Sequence, residues 1–271
     1  MSRTGAVRLA AAVALLVAIA LPLVFALLAS FAPERELYRG HGLAPSELTT
    51  AHYRTLFTER DFWTPVRNSL VVAAATTFLC VAIASACAYA LARLRFRGRR
   101  LVLGAMLAVS MFPQISIVGP LYLLLREVGL IDTYPGLVLP YLTFALPLAV
   151  WLLVGYFRQL PSDLEDAAIV DGASRLRVLW EIVLPLAAPG IATTAILTFV
   201  YCWNEFLFAL SFTTTHERQT VPVAVALFRG QFQVPWGQIL AATIISTLPV
   251  LVLVAAFQRR ILGGLTAGSV K

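Results

Sequence analysis

Charge is scarce in this chain: Asp, Glu, Lys and Arg make up 13% of the residues against 59% hydrophobic ones. A soluble domain of this size has too little interior to bury so much apolar surface, so that class is excluded and an integral membrane protein is implied. Lysine is scarcest of all, since Lys271 is the sole example and the last residue. A Walker A loop needs a lysine followed by Ser or Thr inside the chain. ATP hydrolysis, if it drives this protein, must therefore come from another polypeptide. Histidine is limited to His41, His52 and His216, placed in expected outer loops without ligands at metal spacing, so no metal site is expected. No Ser, His and Asp arrangement suggests a hydrolase, and no catalytic residue is assigned. Cys80, Cys87 and Cys202 lie in apolar runs, where cysteine acts as a small hydrophobe, and three cannot form an even disulfide framework. No internal repeat or low-complexity tract is visible, and no nucleic-acid partner is expected.

What the chain has instead is long apolar runs. Six of them are long enough for a hydrocarbon core of about 30 Å, which takes roughly 20 helical residues: Leu9 to Phe31, Asn68 to Ala92, Leu101 to Leu125, Gly136 to Phe157, Pro189 to Phe212 and Gln238 to Phe257. Backbone groups in lipid must pair internally, and barrel strands would alternate polar and apolar residues, so an all-α bundle is expected. The first run follows Arg3 and Arg8 and ends at Ala29-Ser30-Phe31-Ala32, which resembles a signal-peptidase site. Its apolar core exceeds the roughly 7 to 15 residues of a signal peptide, so an uncleaved anchor is the better reading. Arg93, Arg95, Arg97, Arg99 and Arg100 crowd the link between the second and third runs, which marks it as cytoplasmic. Six spans then put both termini inside, in agreement with Arg3, Arg8, Arg259, Arg260 and Lys271. The five arginines between Pro33 and Arg67 run against that pattern. The expected organisation is a first helix and outer loop over 1–63, a transmembrane domain over 64–260 and a cytoplasmic tail over 261–271.

One polar segment interrupts the runs, EDAAIVDGASRLRVLWEIVLP at 165–185, on the expected cytoplasmic side. Ser162 and Glu165 have the spacing of a capping box, and Pro161 bars helix from upstream. A short helix over about 163 to 171 follows, closed by Gly172 in the left-handed conformation. Ser174 caps a second helix, with Leu176, Leu179, Trp180 and Val183 on one face and Pro185 at its end. An interfacial helix resting on headgroups is one reading. Against it, Asp163, Glu165, Asp166, Asp171 and Glu181 outnumber Arg175 and Arg177, a balance that anionic lipid repels and a basic pocket on a protein partner attracts.

Asp166-Ala167-Ala168, three residues, Gly172, nine residues and Ile182-Val183-Leu184-Pro185 resemble the EAA loop of binding-protein-dependent ABC importer permeases, E-A-A-x3-G-x9-I-x-L-P. Asp166 stands where the pattern has Glu, one methylene shorter with the same charge. The run Ala167 to Ala173 is similar to the sugar-importing, maltose-type branch. Asn68-Ser69-Leu70, Ala88-Tyr89-Ala90-Leu91-Ala92-Arg93, Trp203-Asn204-Glu205-Phe206 and Gly264-Leu265-Thr266-Ala267-Gly268 extend the resemblance from about Trp63 onward. It implies a type I (MetI-like) permease of six transmembrane helices with a cytoplasmic coupling helix. It also implies two ATPase subunits that use ATP and Mg, a second homologous permease (a heterodimer favoured over a homodimer), and an extracytoplasmic solute-binding protein. The same resemblance assigns ATPase coupling to Glu165, Asp166, Ala167, Ala168, Asp171, Gly172, Ile182, Leu184 and Pro185. This chain is expected to hold no cofactor of its own, and to sit multi-pass in a bacterial cytoplasmic membrane among its lipids.

Glu205 is the sole acidic residue inside an apolar run, and intramembrane ionisable groups are functional candidates by default. It lies 16 residues past Pro189, roughly 24 Å along a helix at about 1.5 Å per residue, in the outer part of the bilayer. With Tyr201, Trp203 and Asn204 it forms a substrate-path candidate, since carboxylates, amides and aromatic faces suit sugars. A structural glutamate bonded to its surroundings is the competing reading. Prolines 113, 120, 140, 147 and 249 predict kinks, and Val221 to Phe228, within the outer segment Thr213 to Trp236, predicts a short helix at the outer surface, which the resemblance implies helps dock a binding protein. An ion-coupled secondary transporter would show several intramembrane ionisable residues, and a non-transporting scaffold would share the helices but not the solute path.

Overall fold

The computed structural model describes residues 3–39, 45–228 and 234–267, with side chains from 7 to 39, 45 to 228 and 234 to 257. His41, Arg229, Gly230, Gly268 and Lys271 lie outside the described residues. So do the side chains of Arg3, Arg259 and Arg260. Among the described residues every regular element is helical, as the apolar runs require. Four helices are long and apolar enough to cross a membrane unbroken: Val7–Ala29, Trp63–Arg93, Tyr134–Gln159 and Trp236–Phe257. Two bent pairs, Arg99–Ser110 with Gln114–Glu127 and Arg175–Leu186 with Ala188–Trp203, bring the number to six if each pair is one span.

Two compact units are present. The first is Met1–Trp63 with Ala224–Pro249. It contains α1 (Arg3–Ala29), α2 (Glu34–Arg39) and α3 (Ala51–Thr58). The apolar side chains of α1 are exposed along its length, from Val7 to Leu28. His52, expected in a loop, sits instead on α3 and is buried, its Nε2 hydrogen-bonded to the Ala32 carbonyl at 2.8 Å.

The second unit is Thr64–Val223 with Val250–Lys271. Its long helices are α4 (Trp63–Arg93) and α7 (Tyr134–Gln159), joined by α5 (Arg99–Ser110) and α6 (Gln114–Glu127). The expected third span is not one helix, because α5 and α6 meet at 90°. Pro113 lacks an N–H and disfavours the helical conformation at Phe112, so the ladder stops there. The Met111 and Phe112 amides tighten onto Ala108 and Val109 instead. Beyond α7 the chain runs through α8 (Asp163–Val170), α9 (Arg175–Val178), a π turn (Leu179–Val183), α10 (Leu184–Leu186), α11 (Ala188–Trp203) and α12 (Leu207–Phe212). The core near the 163–187 segment joins Ala84, Ala88 and Leu91 of α4, Leu153 and Phe157 of α7, and Val178 and Val183. The short helix expected over Val221 to Phe228 forms as α13 (Val221–Ala226), but with Val221, Val223 and Ala224 buried, and α14 (Trp236–Ala267) is the last.

The opposite end of this unit is closed by polar clamps. The Asn68 amide donates to the carbonyls of Glu217 and Gln219 at 2.8 and 2.9 Å and accepts from the Tyr134 hydroxyl, while Ser69 Oγ accepts from the Val221 amide at 2.8 Å. Asp132, at φ +61°, accepts from the Thr214 and Thr215 amides at 2.8 and 3.1 Å and from the Thr215 hydroxyl at 2.7 Å. Partial burial raises its carboxyl, but the bonds from Thr215 and Thr214 and the nearby Arg218 together hold it below its ordinary value. A depressed folded value adds stability above the unfolded pKa of about 3.9 and loses it as pH falls through the lower folded value. Asp132→Asn is therefore expected to lower the melting temperature at neutral pH. The gap to the parent should narrow as pH falls from about 6 toward about 3, checked by thermal melts across that range.

Candidate functional site

The polar segment folds as two short helices on either side of Gly172. α7 ends at Gln159, before Pro161, and α8 begins at Asp163. Asp163, Glu165 and Asp166 in its first turn complement the helix dipole. The expected capping box does not form: Ser162 is helical and makes no side-chain cap. Glu165 turns inward instead, where its Oε1 accepts from Arg93 Nε at 2.6 Å. The same guanidinium donates through a terminal nitrogen to the Leu160 carbonyl at 2.9 Å. A charged donor held in place by its second bond to Leu160 outcompetes a backbone amide for that carboxylate.

Gly172 takes φ +88°, as the hinge requires. A Cβ added there would meet nothing within 4 Å, so the backbone conformation and not crowding inside the chain sets the preference for glycine. Ser174 caps α9, its hydroxyl accepting from the Arg177 amide at 3.3 Å. Leu176, Leu179 and Trp180 do share a face, which opens with Ala82, Phe199 and Phe257 onto an apolar cleft of about 700 Å³. Leu176 and Trp180 remain 69% and 64% exposed, and the packed side is Val178, Leu179 and Val183. The π turn over 179–183 rotates the stripe off simple helical spacing. Pro185 does not end the helix but lies within α10, and the chain turns by 81° into α11.

The residues assigned to coupling divide by direction. Asp166, Ala167, Asp171, Gly172 and Pro185 are exposed, whereas Glu165 is buried and Ala168, Ile182 and Leu184 are half-buried. The two alanines thus differ: Ala168 packs toward the core and Ala167 faces out. With Asp163 the exposed carboxylates form an acidic surface around Ala167 and Gly172, beside exposed Leu164, Ile169 and Val170. Arg93 was not singled out from the sequence as a partner of this segment. Its place at the end of the Ala88-to-Arg93 run was the one available signal.

The substrate-path candidates do not converge. The expected fifth span ends at Trp203, and a break at 204–206 separates α11 from α12. Asn204 closes the first helix, its amide donating to the Val200 carbonyl at 2.7 Å. Glu205 opens the second, its two oxygens accepting from the Phe208 and Ala209 amides at 2.8 and 3.1 Å. The carboxylate, 6% exposed, also interacts with Tyr141. Trp203 is buried and stacks on Phe199 at 5.8 Å and 15°. Of the four, Tyr201 lines a cavity of about 250 Å³, with Ser110, Thr198 and Phe144 among its walls. Its hydroxyl accepts from Gln114 Nε2 at 2.7 Å, another partner that sequence spacing did not reveal.

Residues 79–265 match the family described as binding-protein-dependent transport system inner membrane component. The chain is 48% identical over 231 residues to the trehalose transport system permease protein SugB of Mycobacterium tuberculosis, covering 84% of each chain. It is 43% identical over 253 residues to the trehalose/maltose transport system permease protein MalG of Thermococcus litoralis, covering 92% of this chain and 91% of that one. In fold it is similar to a chain of a bacterial ABC transporter involved in import of the acidic polysaccharide alginate, with TM-score 0.81, 22% identity, and coverage of 96% and 98%. A chain of the MetNI methionine ABC transporter aligns at TM-score 0.62 and 16% identity over 76% and 99%. This chain therefore belongs to the family of binding-protein-dependent transport system inner membrane components.

Proposed function

We propose that this chain is the permease subunit of an ATP-driven importer that carries a sugar or oligosaccharide across the bacterial cytoplasmic membrane. The observation that carries the coupling half is the exposed acidic surface of Asp163, Asp166 and Asp171 around the Gly172 hinge, fixed to the inner ends of α4 and α7. Two ATPase subunits dock there and supply ATP and Mg chemistry, an assignment supported by Lys271 being the sole lysine. A second homologous permease completes the membrane part, and an extracytoplasmic binding protein delivers the solute. The arginines of the 93–100 link support an inner face on the 163–185 side and both termini in the cytoplasm. Residues 64–260 are the transport domain, with 1–63 an anchoring helix and outer segment and 261–271 a tail. The names of the relatives, trehalose and maltose systems among them, support a sugar as the solute.

Within the bundle, Tyr201 is the residue on the solute path, supported by the cavity it faces. Glu205 holds the break between α11 and α12 and does not contact solute, supported by its two backbone bonds. Glu205→Gln keeps one acceptor and is expected to leave uptake KM unchanged while costing about 1 kcal/mol of stability. Tyr201→Ala is expected to raise KM. Initial rates of labelled disaccharide uptake into membrane vesicles of the full complex check both. An unchanged KM for Tyr201→Ala with a raised one for Glu205→Gln would reverse the assignment.

A further inference from the structure

Both arms of the Gly172 hinge are held by the last turn of one transmembrane helix. Arg93 closes α4 and bonds Glu165 in α8 at 2.6 Å, with side-chain exposures of 14% and 7%. It also bonds the Leu160 carbonyl at the end of α7 at 2.9 Å. Tyr89, one turn earlier on α4, is buried in the same apolar cluster as Val178 of α9. Between these polar contacts lies a shared apolar seam in which Tyr89 and Leu91 pack with Phe157, Val178 and Leu179. The other cations of the 93–100 link have no such role among the described contacts, and Arg177 pairs locally with Glu181 at 2.9 Å.

We infer that Arg93 is a positioning residue that transmits movement of the hinged segment to α4, its ion pair with Glu165 locking the two elements together. The inference rests on the importer reading above. A buried pair with a second fixed acceptor holds one geometry, because separating the charges leaves each without compensation. The segment therefore cannot swing on Gly172 independently of α4, and a displacement at its exposed surface is passed to the helix as a rigid step, which is what coupling between distant sites needs. Glu165 thus serves the inside of the joint, while Asp166 and Asp171 serve its outer surface. Without the lock, the ATPase can still dock and turn over, but its motion is lost in slack.

The test reconstitutes the complete transporter, with its ATPase, partner permease and binding protein, and measures ATP hydrolysed per labelled disaccharide imported. Arg93→Gln is expected to retain the ATPase on co-purification and keep hydrolysis within about twofold of the parent, while uptake falls roughly tenfold, so that the ratio rises. Arg93→Lys, which keeps the charge but loses the forked geometry, is expected to fall between the two. If Arg93→Gln is not recovered from the membrane, Glu165→Gln decides, because it keeps the side-chain shape and one acceptor. It too must show a raised ratio. An unchanged ratio in a recovered variant, or loss of the bound ATPase, overturns the transmission role. A parent complex that shows no ATP-dependent uptake overturns instead the importer reading on which it stands.

Discussion

Gly172→Asp is expected to abolish uptake while leaving the protein folded and inserted. Gly172 stands at φ +88°, where an L side chain costs about 1–2 kcal/mol, and Asp tolerates that region better than most residues. No atom of the chain lies within 4 Å of the added Cβ, so the fold itself has room for the substitution. The damage falls on the exposed surface, where a further carboxylate joins Asp166 and Asp171 at the point a docked neighbour must approach. Gly172→Asn, equally suited to the left-handed backbone but uncharged, should retain more uptake, and Gly172→Val should retain little. Uptake normalised to the amount of protein in the membrane separates these cases. A Gly172→Asp protein that imports at the parental rate would remove the hinge from the coupling machinery.

The second large effect comes from a glycine of the opposite kind. Gly190 has an ordinary backbone, but a Cβ there would lie 2.5 Å from Tyr156 Cγ and 2.7 Å from both ring Cδ atoms. That part of the ring is fixed by its own helix, so α11 and α7 would have to separate just past the 81° bend. Gly190→Ala should cost about 1–3 kcal/mol by overpacking, and Gly190→Val more. The expected result is a lower melting temperature for the first and little intact protein in detergent for the second. Tyr156→Ala should restore part of the loss in Gly190→Ala, because the two sites couple through one contact. Parental melting in Gly190→Val would show that the two helices do not meet as described.

The contrast between these glycines shows what the sequence could convey. Gly172 announced itself through its spacing from Asp166 and Pro185, and Ser174 through its place after the turn, because both act on near neighbours. The apolar runs marked α1, α4, α7 and α14 for the same reason. Gly190 carries no local sign of Tyr156, 34 positions earlier in the chain. Glu165 misled, since its local partner Ser162 lost to Arg93, 72 positions away. The break at Pro113 was legible as a proline kink, though not its 90° size, whereas the break at Asn204 to Phe206 hid inside an apolar run, because hydropathy averages over the two or three residues that end a helix. Tyr201, Trp203, Asn204 and Glu205 read as a cluster of sugar-binding groups, with a structural glutamate as the competing reading. In the fold its amide and carboxylate cap the helices on each side, leaving Tyr201 beside the cavity.

The central claim is that the segment from 163 to 185 joins this membrane subunit to a separate ATPase. The direct measurement is to tag the chain, solubilise native membranes gently, and identify by mass what co-purifies with the parent and with Gly172→Asp. An ATPase and a second permease bound to the parent, with the ATPase lost from the variant, is the result predicted. An ATPase bound equally to both, or to neither, would contradict it.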